Sequence, residues 1–367
     1  MEMKTSTLVT LVLGFLGSAG AYPGMHQALR ELSSLAARQT SSIAATELIG
    51  DLATLPESAL THTGVAIKNI LLGSGTAEDL STTYTAPGPL GGSTCRNDTC
   101  CVWKYVADDM AQTFRDSSGE CNELARQAIR LGFHDAGTWS KSGGGGGATG
   151  AIILAGDWTR KENRGLEDIA TQMSLWYALY HPYGAGMADL IQMGATVAAV
   201  TCPLGPRVRS FVGRPDSFVS SPEGRLPNVT DSAEKLVALF ADKTISLGEL
   251  IALIGAHTVS RQRFVDPSKA GAPQDTSPGV WDVSFYTEAV SVPPPPGVFV
   301  FQSDLALSRY PGSQGFWSAF SNPANDQASW AVSYATAYVH LSVLGVEHIN
   351  DLTECTGVLP LRNTLAP

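Results

Sequence analysis

Two histidines sit in neighbourhoods suited to chemistry. The first closes the run Arg126-Gln127-Ala128-Ile129-Arg130-Leu131-Gly132-Phe133-His134-Asp135. Leu124, Ala128 and Leu131 recur at helical spacing, which predicts an amphipathic helix. Arg130 and His134 are then i,i+4 neighbours on one face. A cation beside an imidazole disfavours its protonation and keeps it available as a base near neutral pH. A bare Arg-x-x-x-His is more often a solvated surface pair, so the spacing alone decides nothing. The second histidine, His257, ends the stretch that begins Ser246-Leu247-Gly248-Glu249. Ser246 with Glu249 reads as a capping box, and the helix it opens is apolar nearly all round, hence buried. His257 is expected at its far end, where helix dipole and burial act in opposite directions. A buried histidine there is ordinarily a packed core residue. Downstream, Asp275-Thr276-Ser277-Pro278-Gly279-Val280-Trp281-Asp282 sets hard oxygen ligands on a bent backbone, which calcium prefers, although such loops are commonly only turns.

The elements that must position these residues lie mainly from Cys95 onward. There, helical patterns are divided by Gly and Pro, and few segments alternate with period two, so a mostly α architecture follows. Gly143–Gly147 and Pro293–Pro296 must be loops; no Gly-Lys-Ser/Thr follows the glycines, so they are not a phosphate loop. Residues 22–94 carry no cysteine and no evident chemistry. They read as a pro-segment or surface-packed extension, with one short helix around Leu29, Leu32 and Leu35 and a linker over Ser81–Gly92. Residues 1–21 read as a cleaved secretory signal: Lys4, an apolar run Leu8–Leu16, then Ala19-Gly20-Ala21. That run is too short to span a membrane, and no later segment reaches the length, so no membrane anchor is expected. Export implies an oxidising compartment. The six cysteines should pair there, with 15 connectivities open; adjacent Cys100 and Cys101 without a nearby His pair do not read as zinc. Asn97-Asp98-Thr99 and Asn228-Val229-Thr230 are glycosylation sequons on that route. A net charge of −10 excludes nucleic-acid binding through a basic face, and 44% hydrophobic residues exclude disorder as the main state.

One ordered set raises the specificity of all these signals: Arg130-x-x-Phe133-His134-Asp135, a Gly-rich loop, Asn163, Cys202, Phe211-x-Gly213-Arg214, Gly255-Ala256-His257-Thr258, Asp275-x-Ser277 to Asp282, Ser303-Asp304-Leu305-Ala306-Leu307 and Cys355. Over roughly Thr94–Pro360 the chain resembles the secreted fungal (class II) haem peroxidases of the plant-peroxidase superfamily, of a generic or ligninase-like ascomycete type. The resemblance implies a plant-type haem peroxidase fold over residues 95–367, with two helical halves sandwiching haem b. It makes His257 the iron ligand, with Asp304 accepting its other ring N–H. It makes His134 the base that moves a proton between the oxygens of hydrogen peroxide, and Arg130 the cation that steadies developing negative charge. Asn163 would fix the tautomer of His134, Asp157 would be the acidic partner of Asn163, and Phe133 would cover the pocket. Thr258, Asp275, Ser277, Val280 (by its carbonyl) and Asp282 match a proximal Ca²⁺ site. At the distal Ca²⁺ site Asp135 is retained, but Thr149 and Ala151 replace a carboxylate and a hydroxyl, which argues against an ion there. The implied disulfides are Cys95–Cys101, Cys100–Cys355 and Cys121–Cys202.

Departures from the family narrow the substrate. The three acids of manganese-oxidising members correspond to Glu123, Gln127 and Arg263, and the surface Trp of lignin-oxidising members corresponds to Ala252. Gln274 stands where an aromatic residue usually packs under the haem. What remains is a secreted, monomeric peroxidase taking electrons one at a time from small phenols or dyes. Trp139 and Trp158 are electron-relay candidates but more simply core residues. Two alternatives stand beside this: a secreted haem-binding protein with weak catalysis, and a metallohydrolase built on His134, Asp135 and His257.

Overall fold

Side-chain caps mark where half of the principal helices start. The computed structural model describes residues 44–322 and 326–363; the expected signal and the helix around Leu29–Leu35 lie outside them. Thr61 accepts from the Gly64 amide at the head of α1 (His62–Leu71). Asp98 does so from Cys100 for α2 (Thr99–Thr113), and Asn122 from Ala125 for α3 (Glu123–Ala136). After α4 (Glu167–Tyr180) and α5 (Met187–Thr201), Ser232 caps α6 (Ala233–Ala241). Ser246 and Glu249 form the expected capping box on α7 (Leu247–Ile254). Each such cap is worth about 1 kcal/mol. The last helices are α8 (Gln302–Arg309), α9 (Gln314–Phe320) and α10 (Asp326–Ser342). Among the described residues the only strands are Phe211–Val212 and Thr353–Glu354, antiparallel with Phe211 opposite Glu354. The mostly α architecture holds.

Two central helices organise the packing. Every residue of α5 is buried, and α2, α3 and α4 pack around it. Gly132 lets α3 come this close, because a Cβ there would overlap the Tyr338 hydroxyl and the Ala195 methyl. Gln192 spends its amide on the same crossing, donating to the Gly132 carbonyl at 3.1 Å and accepting from Tyr338 at 3.0 Å. The second organiser, α10, touches both α3 and α7 and so spans the two halves. Its His340 bonds Glu249 of α7 at 2.7 Å through Nδ1 and Thr244 at 3.0 Å through Nε2, all fully buried. That contact fixes the helix leading to His257.

Three disulfides lock the frame: Cys95–Cys101, Cys100–Cys355 and Cys121–Cys202, the pairing implied by the resemblance. Cys121–Cys202 ties the start of α3 to the end of α5. Residues 44–94 share this core. Leu52, Ile67, Ile70 and Leu71 belong to the same buried cluster as α5 and α10, and Thr61 bonds Asn350 through both its amide and its hydroxyl. Fully buried Arg207 holds the linker in place, donating to the carbonyls of Asp79 and Thr82 on one side and Thr356, Leu359 and Pro360 on the other.

Candidate active site

Arg130 and His134 meet as their spacing requires: Arg130 Nε donates to His134 Nε2 at 3.1 Å. The guanidinium is aimed by two carbonyls, Arg164 O at 2.8 Å and Glu162 O at 3.3 Å. Sequence reasoning had no signal for this pair, since any residue can offer a carbonyl. On the other side of the ring, His134 Nδ1 faces Asn163 Oδ1 at 2.7 Å. An amide oxygen only accepts, so Nδ1 carries the proton and Nε2 keeps its lone pair. Burial first, and the Arg130 charge second, hold the imidazole well below its usual pKa, against the opposing pull of Asn163. Burial also draws Arg130 down to about 10, which leaves it cationic at neutral pH. Phe133 stands edge-on to His134 and stacks on Phe240.

One expected contact needs correction. Asn163 Nδ2 donates to the main-chain carbonyl of Asp157 at 2.8 Å, not to its carboxylate. The carboxylate is occupied elsewhere, by the Ser221 amide at 2.8 Å and the Arg160 guanidinium at 2.9 Å. Asp157 therefore supports Asn163 through its backbone and the loop through its side chain.

His257 lies one step beyond the α7 helix, in the 3-10 turn Gly255–Val259. Gly255 lets Tyr286 and Trp330 pack against the start of this turn, because a Cβ there would overlap the Tyr286 hydroxyl and the Trp330 ring. His257 Nδ1 bonds Asp304 Oδ2 at 3.1 Å, and Asp304 is fully buried. The carboxylate also accepts from Ser303 Oγ at 3.2 Å and from Gln274 Nε2 at 3.2 Å. Phe285 and Phe301 present their edges to the ring.

The two imidazoles differ in one respect that sorts their roles. Both nitrogens of His134 have protein partners, whereas among the described residues His257 has one only at Nδ1. The His257 side chain keeps 33% of its surface accessible despite its aromatic neighbours. An imidazole anchored through Nδ1 on a buried carboxylate, with Nε2 accessible, is what an iron ligand requires, so the residues fit a haem. The metallohydrolase alternative loses its ligands. Both Asp135 oxygens turn onto backbone amides, Gly150 N at 2.9 Å and Ile152 N at 3.3 Å. Among the described residues no three His, Cys, Asp or Glu side chains gather to hold a metal.

Around Thr258, Asp275, Ser277 and Asp282 the expected oxygen ligands do converge. Thr258 Oγ1 donates to Asp275 Oδ2 at 2.5 Å, the Ser277 amide to Asp275 Oδ1 at 3.0 Å, and Ser277 Oγ to Asp282 Oδ2 at 2.7 Å. Burial, helped by Asp282 and Glu288, raises Asp275 to about 7. The Val280 carbonyl takes the Asp282 amide at 3.1 Å. At the positions of the manganese acids, Glu123 is paired at both oxygens, with Arg263 at 2.9 Å and Arg126 at 3.1 Å. Gln127 is likewise spent, on Asp168 at 3.2 Å and the Ile169 amide at 3.1 Å. Ala252 is fully buried. Trp139 and Trp158 pack against the core, partly buried.

Comparison with known proteins agrees with this geometry. The model of the family described as "Peroxidase" matches residues 106–323. A manganese peroxidase of Phanerodontia chrysosporium is 30% identical over 298 residues, covering 74% of this chain and 76% of its own. A peroxidase of Arthromyces ramosus is 30% identical over 304 residues, covering 76% and 81%. A versatile peroxidase of Pleurotus eryngii is 29% identical over 297 residues, covering 75% and 78%.

The state of His134 is directly measurable. Its folded pKa lies below the unfolded 6.5, so below pH 6.5 the unfolded chain takes up the proton more readily and this group's contribution to stability falls with pH. NMR of the His134 ring should show no titration near pH 6.5 and an inflection only well below it. An Arg130→Ala variant should move the inflection upward. A wild-type inflection at or above 6.5 would refute the assignment of a buried, neutral base.

Proposed function

The chain belongs to the peroxidase family and is a hydrogen-peroxide-dependent oxidoreductase; from that premise we propose that it is an exported enzyme that oxidises small phenolic or dye-like donors one electron at a time. The observation that carries the reading is the pair of imidazoles held through Nδ1, one with its Nε2 beside a fixed cation and one with its Nε2 free. Haem bound on His257 would supply the iron that accepts peroxide and stores its two oxidising equivalents. Around it, His134 Nε2 takes a proton from one peroxide oxygen and returns it to the other, with Nδ1–H held on Asn163 throughout. Arg130, pinned by two carbonyls, meets negative charge on the separating oxygen without having to reorganise. Asp304 keeps the His257 ring oriented and electron-rich. Export is supported by the three disulfides, and the exposed Asn97 and Asn228 suit glycosylation.

The test is an absorption spectrum of the purified protein before and after hydrogen peroxide. A Soret band that changes on peroxide addition is expected, and His134→Ala should slow that change by at least ~10²-fold. Absence of a Soret band would sink the haem reading. A band that ignores peroxide would leave only a haem-binding protein.

Manganese is not a donor in this proposal. Mn²⁺ would have to displace two arginines from Glu123 and find further acids where Gln127 and Arg263 stand. Mn²⁺ titration should give no saturable spectral change, and Gln127→Glu with Arg263→Asp should create one at least ~10-fold tighter, as roughly 1.4 kcal/mol of added attraction requires. Saturation of the wild-type protein at micromolar Mn²⁺ would overturn this. Nor is a surface tryptophan route available at Ala252, which has no exposure.

One calcium ion is proposed, on Thr258, Asp275, Ser277, the Val280 carbonyl and Asp282, where cation charge relieves the buried Asp275. No second ion is proposed at Asp135: the neighbouring Ala151 offers no side-chain oxygen and Thr149 no carboxylate, and the Asp135 oxygens take the amides at the start of the short helix Ala151–Leu154. Metal analysis should return one calcium per chain. Chelation should lower Tm by about 3–5 °C, as ~2.7 kcal/mol of lost binding at hundredfold excess over Kd requires for a chain of this size. A chelator that removes no calcium, or leaves Tm unmoved, would dismiss the site.

A further inference from the structure

Gln274 has a place in the network behind the iron ligand. Its side chain is buried, with 1% exposure. Nε2 donates to Asp304 Oδ2 at 3.2 Å, the same oxygen that receives His257 Nδ1 at 3.1 Å. Its Oε1 accepts from Ser260 Oγ, and its own amide reaches the Ser260 carbonyl at 3.3 Å. Ser260 in turn caps the turn that carries His257, its amide donating to the His257 carbonyl at 3.0 Å. The amide is therefore held at both ends, and its N–H group cannot rotate away from Asp304 without giving up Ser260.

We propose that Gln274 is a positioning residue that sets the reduction potential of iron bound at His257, by competing with the imidazole for the Asp304 carboxylate. An Asp304 that accepted only from His257 would draw the Nδ1 proton strongly and push charge onto the ring, favouring ferric iron. With Gln274 and Ser303 also donating, the carboxylate is a weaker acceptor, the imidazole holds its proton more closely, and ferrous iron becomes easier to form. An aliphatic or phenyl side chain at this position would offer no donor and return the carboxylate to the histidine. The inference rests on the reading of His257 as the iron ligand.

The experiment compares wild-type holoprotein with Gln274→Leu and Ser260→Ala, by redox titration of Fe(III)/Fe(II) and by resonance Raman of the ferrous Fe–His stretch. Gln274→Leu should shift the Fe(II)/Fe(III) ratio at fixed potential toward ferric iron by roughly 3- to 10-fold, since hydrogen bonds to a charged group are worth about 1.5–3 kcal/mol and only part of that reaches the iron. Tenfold is about 59 mV for one electron. The Fe–His stretch should rise. Ser260→Ala, which frees the amide without removing it, should shift both in the same direction by less. A Gln274→Leu protein that retains haem but shows unchanged potential and stretch overturns the inference, whatever its Tm. A wild-type protein with no Fe–His stretch instead removes the premise about His257, so the two failures are distinguishable.

Discussion

Two imidazoles are held by the same atom and given opposite tasks by what holds them. Each turns Nδ1 onto an acceptor and leaves Nε2 for the chemistry, beside the Arg130 Nε–H in His134 and accessible in His257. For His134 the acceptor is a neutral amide and the neighbour is a cation; with burial added, the ring stays uncharged and is a proton carrier. For His257 the acceptor is a buried carboxylate, which makes the ring electron-rich and suits it to a metal. Exchange the acceptors and the roles fail: a carboxylate behind His134 would favour imidazolium, and an amide behind His257 would leave a poor donor.

That arrangement depends on helices that do not touch the chemistry. The capping box and the buried His340–Glu249 contact fix α7, and Gly255 lets Tyr286 and Trp330 pack against the turn that presents His257. On the other side, Gly132 and the Cys121–Cys202 disulfide fix α3 against α5, which sets the direction of Arg130 and His134. Because α10 packs on both α3 and α7, the helices that carry the two histidines share one packed core. The frame also includes residues 44–94, whose apolar side chains enter the same core.

What could be read in the sequence was local. The i,i+4 pair, the capping box and the helical texture are properties of a few adjacent residues, and each is present as read. Asn163 and Asp304 lie 29 and 47 residues from their histidines, so no periodicity could have joined them; only the resemblance did. Where the resemblance supplied a residue type without its geometry, it misled, as with Asp157, whose carbonyl rather than carboxylate holds Asn163. Residues 44–94 gave no sign of their place in the core because their burial comes from contacts such as Thr61 with Asn350, 289 residues away. Gln274 was visible only as a departure, and acquires a meaning once Asp304 is seen to share one oxygen between two donors.

The acidic residues of this chain are used for structure more than for capture of a cation substrate. Glu123 is neutralised by two arginines, and Asp135 is closed by two amides. In the Asp275–Asp282 loop two carboxylates share the Ser277 side chain and backbone, and burial, with Asp282 and Glu288, pushes Asp275 up to about 7. Thr258, which donates to Asp275, directly follows His257 in the chain. A cation in that loop would therefore fix the backbone on one side of the iron ligand while Gln274 and Ser260 fix it on the other. On the proposed reading His257 would hold the iron and Thr258 the calcium, as adjacent residues of one five-residue turn, so a change at either site would reach the other through a single peptide bond.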